Sequence, residues 1–213
     1  MSRVMTGRCR ISYPELVTPK AFNDGDDPKF SATFVFESAE DIQDIRKAVL
    51  AVAKENWGAE KLEGASIKML DTAGGRVPYL VAGDLRIRLP WYDDPDLIAK
   101  QKYPEGSVFI RARSGRKPGL VTEIRDPETG KPSILEDPSK IYAGVYVRAS
   151  LDVFAYDHSG NRGVAFGLGN IQLIGGGEAF AGVVTAAEDE FKTNDNAAVS
   201  LDESQDPLDD LVG

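Results

Sequence analysis

The stretch Tyr142-Ala143-Gly144-Val145-Tyr146-Val147-Arg148-Ala149-Ser150-Leu151-Asp152-Val153-Phe154-Ala155-Tyr156 decides the fold. Its small and apolar side chains fall at every second position: Ala143, Val145, Val147, Ala149, Leu151, Val153 and Ala155. A two-residue period puts them on one face of an extended strand, whereas a helix would scatter them around its axis. The other face reads Tyr142, Gly144, Tyr146, Arg148, Ser150, Asp152, Phe154 and Tyr156. Four rings and an arginine therefore stand opposite the core, where a platform for stacking could form.

Shorter runs on either side carry the same period. Residues 4–13, 30–36, 83–89, 107–114, 119–124 and 163–174 read as strands, separated by turn clusters such as Asn23-Asp24-Gly25-Asp26, Asp126-Pro127-Glu128-Thr129-Gly130 and His158-Ser159-Gly160-Asn161. Ile42, Ile45, Val49, Val52 and Ala53 recur at helical spacing behind Ser38 and Asp41, which have the look of a capping box, and the pattern stops at Gly58. Residues 93–102 read as a short helix or a lid-like loop bounded by prolines. The expectation is a mainly β chain, a barrel or sandwich with one inserted helix over a barrel end or sheet face.

Net charge means little until it is divided along the chain. The 213 residues carry 25 Lys and Arg against 34 Asp and Glu, a formal charge of −9. Residues 188–213 hold nine of those acids against Lys192 alone, so the preceding body is close to neutral. From Lys192 onward there is no aromatic and little apolar bulk to offset the entropy of ordering, so residues 188–213 are expected to be a disordered acidic tail following a domain of residues 1–187. Its end sets Leu208, Leu211 and Val212 among Asp206, Asp209 and Asp210, a peptide suited to a basic, apolar-floored pocket on a partner. A solvated terminus with no partner fits the same composition.

In a nearly neutral body, three Arg-x-Arg pairs imply clustering of the cations. Arg8 and Arg10 oppose Cys9 and Ile11; Arg86 and Arg88 oppose Leu85 and Ile87; Arg111 and Arg113 oppose Ile110 and Ala112. Guanidiniums interleaved with Tyr142, Tyr146, Phe154 and Tyr156, and with Arg148, meet what a single nucleic-acid strand demands, because phosphates need cations and unstacked bases need flat apolar partners. The same rings could instead pack under a second layer, with the arginines in cross-strand ion pairs.

Other chemistries find less support. One Cys (Cys9) and one His (His158) supply neither an internal disulfide nor a structural zinc site. Thr129-Gly130-Lys131-Pro132-Ser133 lacks the leading glycine and the hydroxyl of a phosphate loop and reads as a turn, and Gly167-Leu168-Gly169 lacks a third glycine at Gln172. His158 has no nucleophile to serve, Cys9 faces the core, and the pairs Asp26-Asp27 and Asp93-Asp94 read as solvated loop acids. No catalytic residue, metal site or cofactor is expected. With no export signal and no apolar run long enough to span a bilayer, the expected address is cytoplasmic, without a membrane partner.

Gly7-Arg8-Cys9-Arg10-Ile11-Ser12-Tyr13-Pro14, Lys29-Phe30-Ser31-Ala32, and above all residues 141–149 leading to Gly163-Val164-Ala165-Phe166-Gly167-Leu168-Gly169-Asn170-Ile171-Gln172 resemble bacteriophage single-stranded DNA-binding proteins long catalogued as a domain of unknown function. The resemblance covers most of residues 3–191. It implies an OB-type barrel with an inserted helix and an acidic tail, binding of single strands without sequence preference, and a part in phage replication or recombination. Expected partners are single-stranded DNA and, through the tail, replication or recombination proteins; a homodimer is compatible with it. The rival reading is a non-enzymatic acidic β-rich scaffold or virion protein that binds other proteins and not DNA, and an RNA-directed binder would use the same stacking physics.

Overall fold

Alternating burial closes the chain into a ring of strands. In the computed structural model, which describes residues 2–21 and 23–180, the elements run β1 (Ser2–Met5), β2 (Cys9–Lys20), β3 (Lys29–Phe36), α1 (Gln43–Trp57), β4 (Ser66–Thr72), β5 (Gly75–Ala82), β6 (Leu85–Arg88), β7 (Trp91–Tyr92), α2 (Pro95–Lys100), β8 (Val108–Ser114), β9 (Leu120–Arg125), β10 (Pro132–Ile134), β11 (Tyr146–His158) and β12 (Asn161–Leu173). β2, β3, β8, β12 and β11 pair in that order, and β11 returns to β2 through Tyr146 opposite Arg10, so the sheet has no free edge around the ring. The β8–β12 contact is parallel, whereas the other four ring contacts are antiparallel. This is the OB-like barrel that the resemblance implies.

The inward positions of β11 behave as their period requires. Val147, Ala149, Leu151 and Val153 are buried, packed with Cys9, Ile11, Phe34, Ile110, Ala112 and Phe166 from the other walls. Helix α1 adds Ile45, Val49, Val52 and Ala53 to the same core, packing against β11, β1 and β12. Its entry differs in detail from a capping box: a 3-10 turn at Glu40–Ile42 comes first, and the Ser38 N–H and hydroxyl both donate to the Asp41 carboxylate at 2.9 and 3.1 Å.

Several boundaries move. Tyr142–Val145 is a turn and not the start of β11, with the Val145 N–H donating to the Tyr142 carbonyl at 3.1 Å. The single strand expected over 4–13 is two: β1 ends at Met5, Thr6 exchanges hydrogen bonds with Ala149 of β11, and β2 begins at Cys9. Residues 93–102 are helical over Pro95–Lys100, with the Asp94 side chain capping the Leu97 N–H at 3.2 Å. The hairpin β4–β5 is additional; Pro78, which argues against a strand by sequence, sits where the chain accepts from the Leu89 N–H at 2.9 Å. β6 joins this hairpin to the barrel at Arg88 opposite Gly163. The run 126–130 is a turn as its residues suggest, with the Asp126 carboxylate accepting from Glu128 and Thr129 and held below the usual carboxylate range by those bonds. The disorder expected for residues 188–213, and the peptide containing Asp206, Leu208, Asp209, Asp210, Leu211 and Val212, lie outside the described residues.

Candidate nucleic-acid interface

The outer wall of β2, β3 and β8 is built from register. Side chains that alternate outward stand in rows across the three strands: Arg10, Val35 and Phe109; then Ser12, Thr33 and Arg111; then Ser31 and Arg113, with Glu15 beside Ser31. The first row is roofed, because α2 lays Leu97 and Ile98 on Val35 and Phe109, together with Tyr103. Beyond it Ser12 and Thr33 are buried, while Arg111, Ser31 and Arg113 reach the surface. They floor a cleft of about 640 Å³ lined by Tyr13, Lys20, Lys29, Gln101, Arg111 and Arg113, with Glu15, Asp26 and Asp27 among its walls.

Tyr13 owes its place in that cleft to an unusual backbone. Its φ of 47° is a left-handed conformation that an aromatic residue rarely adopts, and it coincides with the register break of β2 between Ser12 and Glu15. The ring is thrown outward and is 61% exposed, with its hydroxyl donating to Gln101 Oε1 at 3.3 Å. Lys20 is paired with Glu15 at 2.6 Å. Arg111 pairs with no carboxylate among the described residues; its guanidinium lies 5.0 Å from the Tyr92 ring centre and 5.4 Å from that of Phe109. Tyr92 and Phe109 are stacked at 4.7 Å, so Phe109, fully buried, stiffens a half-exposed Tyr92.

The residues singled out by sequence divide into two groups. Tyr146 and Tyr156 lie ten positions apart on one strand, about 30 Å at roughly 3.3 Å per residue, and do not share a cleft. At the Tyr146 end, Arg8 stacks on the Tyr146 ring at 3.6 Å, and the Tyr146 hydroxyl donates to Glu37 Oε1 at 3.0 Å. Arg10 donates to the Gly144 carbonyl at 2.9 Å and to the Glu178 carbonyl, and it lies 4.0 Å from the Phe180 ring centre. The Tyr142 hydroxyl donates to the Gly177 carbonyl at 2.7 Å. The chain just after β12 is thus strapped across this end, and Gly144, at φ 113°, is where it passes so close that a Cβ would collide with the Glu178 carbonyl.

At the other end the arrangement is open. Arg88 stands opposite both Tyr79 and Gly163, and Tyr156 is opposite Gly163 as well. Arg111 and Arg113 belong to the cleft, Arg86 is exposed next along β6, Phe154 is half-buried opposite Ala165, and Arg148 is exposed opposite Gln172. Tyr13, Tyr79 and Tyr92 were not singled out by sequence. Tyr13 depends on a backbone kink, Tyr79 lies in the hairpin that Pro78 disguises, and Tyr92 is in a two-residue strand too short to show a period. Cys9 is buried and its thiol is pushed up to about 12 by desolvation, while His158 is exposed at the tip of the β11–β12 hairpin. Among the described residues, no group of three or more His, Cys, Asp or Glu could hold a metal ion, and no helix is long and apolar enough to cross a membrane.

An outer OB-like wall carrying cations and an exposed ring invites comparison with known proteins. The family described as Enterobacter phage Enc34, ssDNA-binding protein, matches residues 2–201. The chain belongs to this family. A relative, putative protein p50 of Acyrthosiphon pisum secondary endosymbiont phage 1, is 23% identical over 191 residues, covering 89% of this chain and 92% of that one. Among solved structures, the single-stranded DNA-binding protein from bacteriophage Enc34 in complex with ssDNA superposes with a TM-score of 0.51 at 20% identity, over 84% of this chain and 89% of that one. The single-stranded DNA-binding protein encoded by bacteriophage T7 gives 0.53 at 12% identity, over 91% and 99%. At such identities the superpositions establish the shared barrel, and the family match carries the kinship.

Proposed function

We propose that this protein binds single-stranded DNA, without reading its sequence, in the cleft on the outer wall of β2, β3 and β8. The observation that carries the proposal is the cleft itself: Arg111 without a carboxylate partner among the described residues, Arg113 and Lys29 beside it, and an exposed Tyr13 held outward at a strained backbone position. Cations along such a floor take phosphates, and an exposed ring takes a base. Membership in a family named for single-stranded DNA binding supports the same reading. No group-transfer chemistry is asked of any residue, and the reading is of a non-enzymatic protein inside the cell that replicates or recombines phage DNA.

The acidic residues 188–213 extend this reading. A polyanionic segment competes with DNA for the same cations, so the tail weakens strand binding until a strand displaces it, and the freed peptide around Leu208, Leu211 and Val212 then recruits a replication or recombination protein. The test is a fluorescence titration of the full chain with a mixed-sequence single strand and the matching duplex at two salt concentrations. Preference for the single strand is expected, with log affinity falling by about 0.7 per decade of salt for each phosphate neutralised. Absence of binding to either nucleic acid at low salt would return the chain to the protein-scaffold reading. A truncation after Ala187 should bind more tightly at low salt and equally at high salt; identical curves would remove the tail from the mechanism.

A further inference from the structure

Arg88 is half-buried, yet it pairs with no carboxylate among the described residues. A guanidinium drawn partly out of water normally has a counter-charge, because desolvation is costly for an unpaired ion. Here its surroundings are tyrosines. Its Nη2 lies 3.5 Å from the Tyr92 hydroxyl, Tyr79 is its register partner on β5, and Tyr156 reaches across Gly163, its register partner on β12. Gly163 is what lets the Tyr156 ring lie there, since a Cβ at that position would strike the ring and its hydroxyl. Burial pushes the Tyr156 hydroxyl above the ordinary tyrosine range, with the Arg88 charge opposing the shift. All three rings are half-exposed. Tyr92 also lies against Arg111, so it links this cluster to the cleft.

We propose that Arg88, Tyr79 and Tyr156 form a second nucleotide station, a phosphate on Arg88 with bases against the two rings, and that a bound strand runs from the Arg111 cleft over Tyr92 onto the β5–β6 hairpin. This rests on the single-strand reading above and adds a path to it. The hairpin is outside the barrel ring, so it lengthens the site beyond what the five barrel strands offer. OB-type sites hold roughly 4 to 16 nucleotides per fold, and a second station places this protein above the short end of that range.

The experiment titrates the full chain and two variants with a labelled deoxythymidine oligonucleotide of about 20 residues, a length that exceeds the largest of those sites, across a salt series. Arg88→Gln should lower affinity about tenfold and reduce the salt slope by about 0.7, the loss of one phosphate contact. Tyr79→Leu should lower affinity about tenfold with the slope unchanged, because stacking releases no counterions. Thermal melting of each variant separates these effects from damage to the hairpin; a variant that melts like the parent yet binds with the parent's affinity and slope overturns the second station. Failure of the parent chain to bind the oligonucleotide at all overturns the single-strand reading beneath it, a different and distinguishable result.

Discussion

The two ends of β11 carry the same kind of residue and put it to different use. Around Tyr146, every cation that approaches a ring is engaged by the protein's own chain: Arg8 on the Tyr146 ring, Arg10 on two carbonyls and on Phe180. Around Tyr156, the cation whose charge acts on the ring is Arg88, and among the described residues it donates to the Tyr92 hydroxyl and pairs with no carboxylate. Charge that is already satisfied holds structure together, whereas charge left without a partner is available to a ligand. Rings alternating with arginines therefore do not by themselves mark a binding surface; what lies over them decides.

The sharpest way to break this contrast is to force the closed end open. Gly144→Val puts a β-branched side chain at φ 113° against the Glu178 carbonyl, combining left-handed backbone cost with a collision. The expected loss is about 2 to 4 kcal/mol of stability, read by urea unfolding, with little change in the DNA affinity of the molecules that stay folded. A fall in affinity without a fall in stability would place DNA at the strapped end. Next in size, Tyr13→Ala should weaken single-strand binding by roughly 1 to 3 kcal/mol while leaving the melting temperature near the parent's, since the ring is largely exposed.

A matched pair of arginine changes gives a finer comparison. Arg10→Gln removes charge-assisted bonds to two carbonyls and should cost about 1 kcal/mol of stability while leaving the salt slope of DNA binding alone. Arg111→Gln should do the reverse, sparing stability and lowering the slope by about 0.7. If both variants alter the slope, the two ends of β11 act as one surface.

The inward face of β11 was legible from its sequence because period-two burial leaves a trace at every second residue, and Val147 to Val153 fill the barrel as that trace requires. The helix over the barrel was equally plain in Ile45, Val49 and Val52. The site was legible only as residue types. Alternation shows that Tyr146 and Tyr156 share a face, but not that a strand winding around a barrel carries them to separate regions. Nor can local pattern show that residues after β12 return to cover Arg10, a contact spanning 168 positions. Tyr92 matters because α2, β7 and β8 meet there, a tertiary circumstance with no local signature.

The smallest expected effect tests whether the closed end is also dry. Cys9 lies between Thr6 and Val147, donating weakly to the Thr6 hydroxyl at 3.7 Å and the Val147 carbonyl at 3.5 Å, and desolvation raises its thiol to about 12. An unfolded chain ionises that thiol near pH 8.5 to 9, so the folded state binds its proton more tightly. The stabilising contribution is complete below that range and is lost as pH rises toward the folded value. Between pH 7 and 9 the parent should therefore lose about 0.5 kcal/mol that a Cys9→Ala variant does not, whatever constant cavity cost the variant carries. Parallel stability curves for the two proteins would mean that water reaches the thiol, and that the strapped end opens often enough to compete with the end proposed here for DNA.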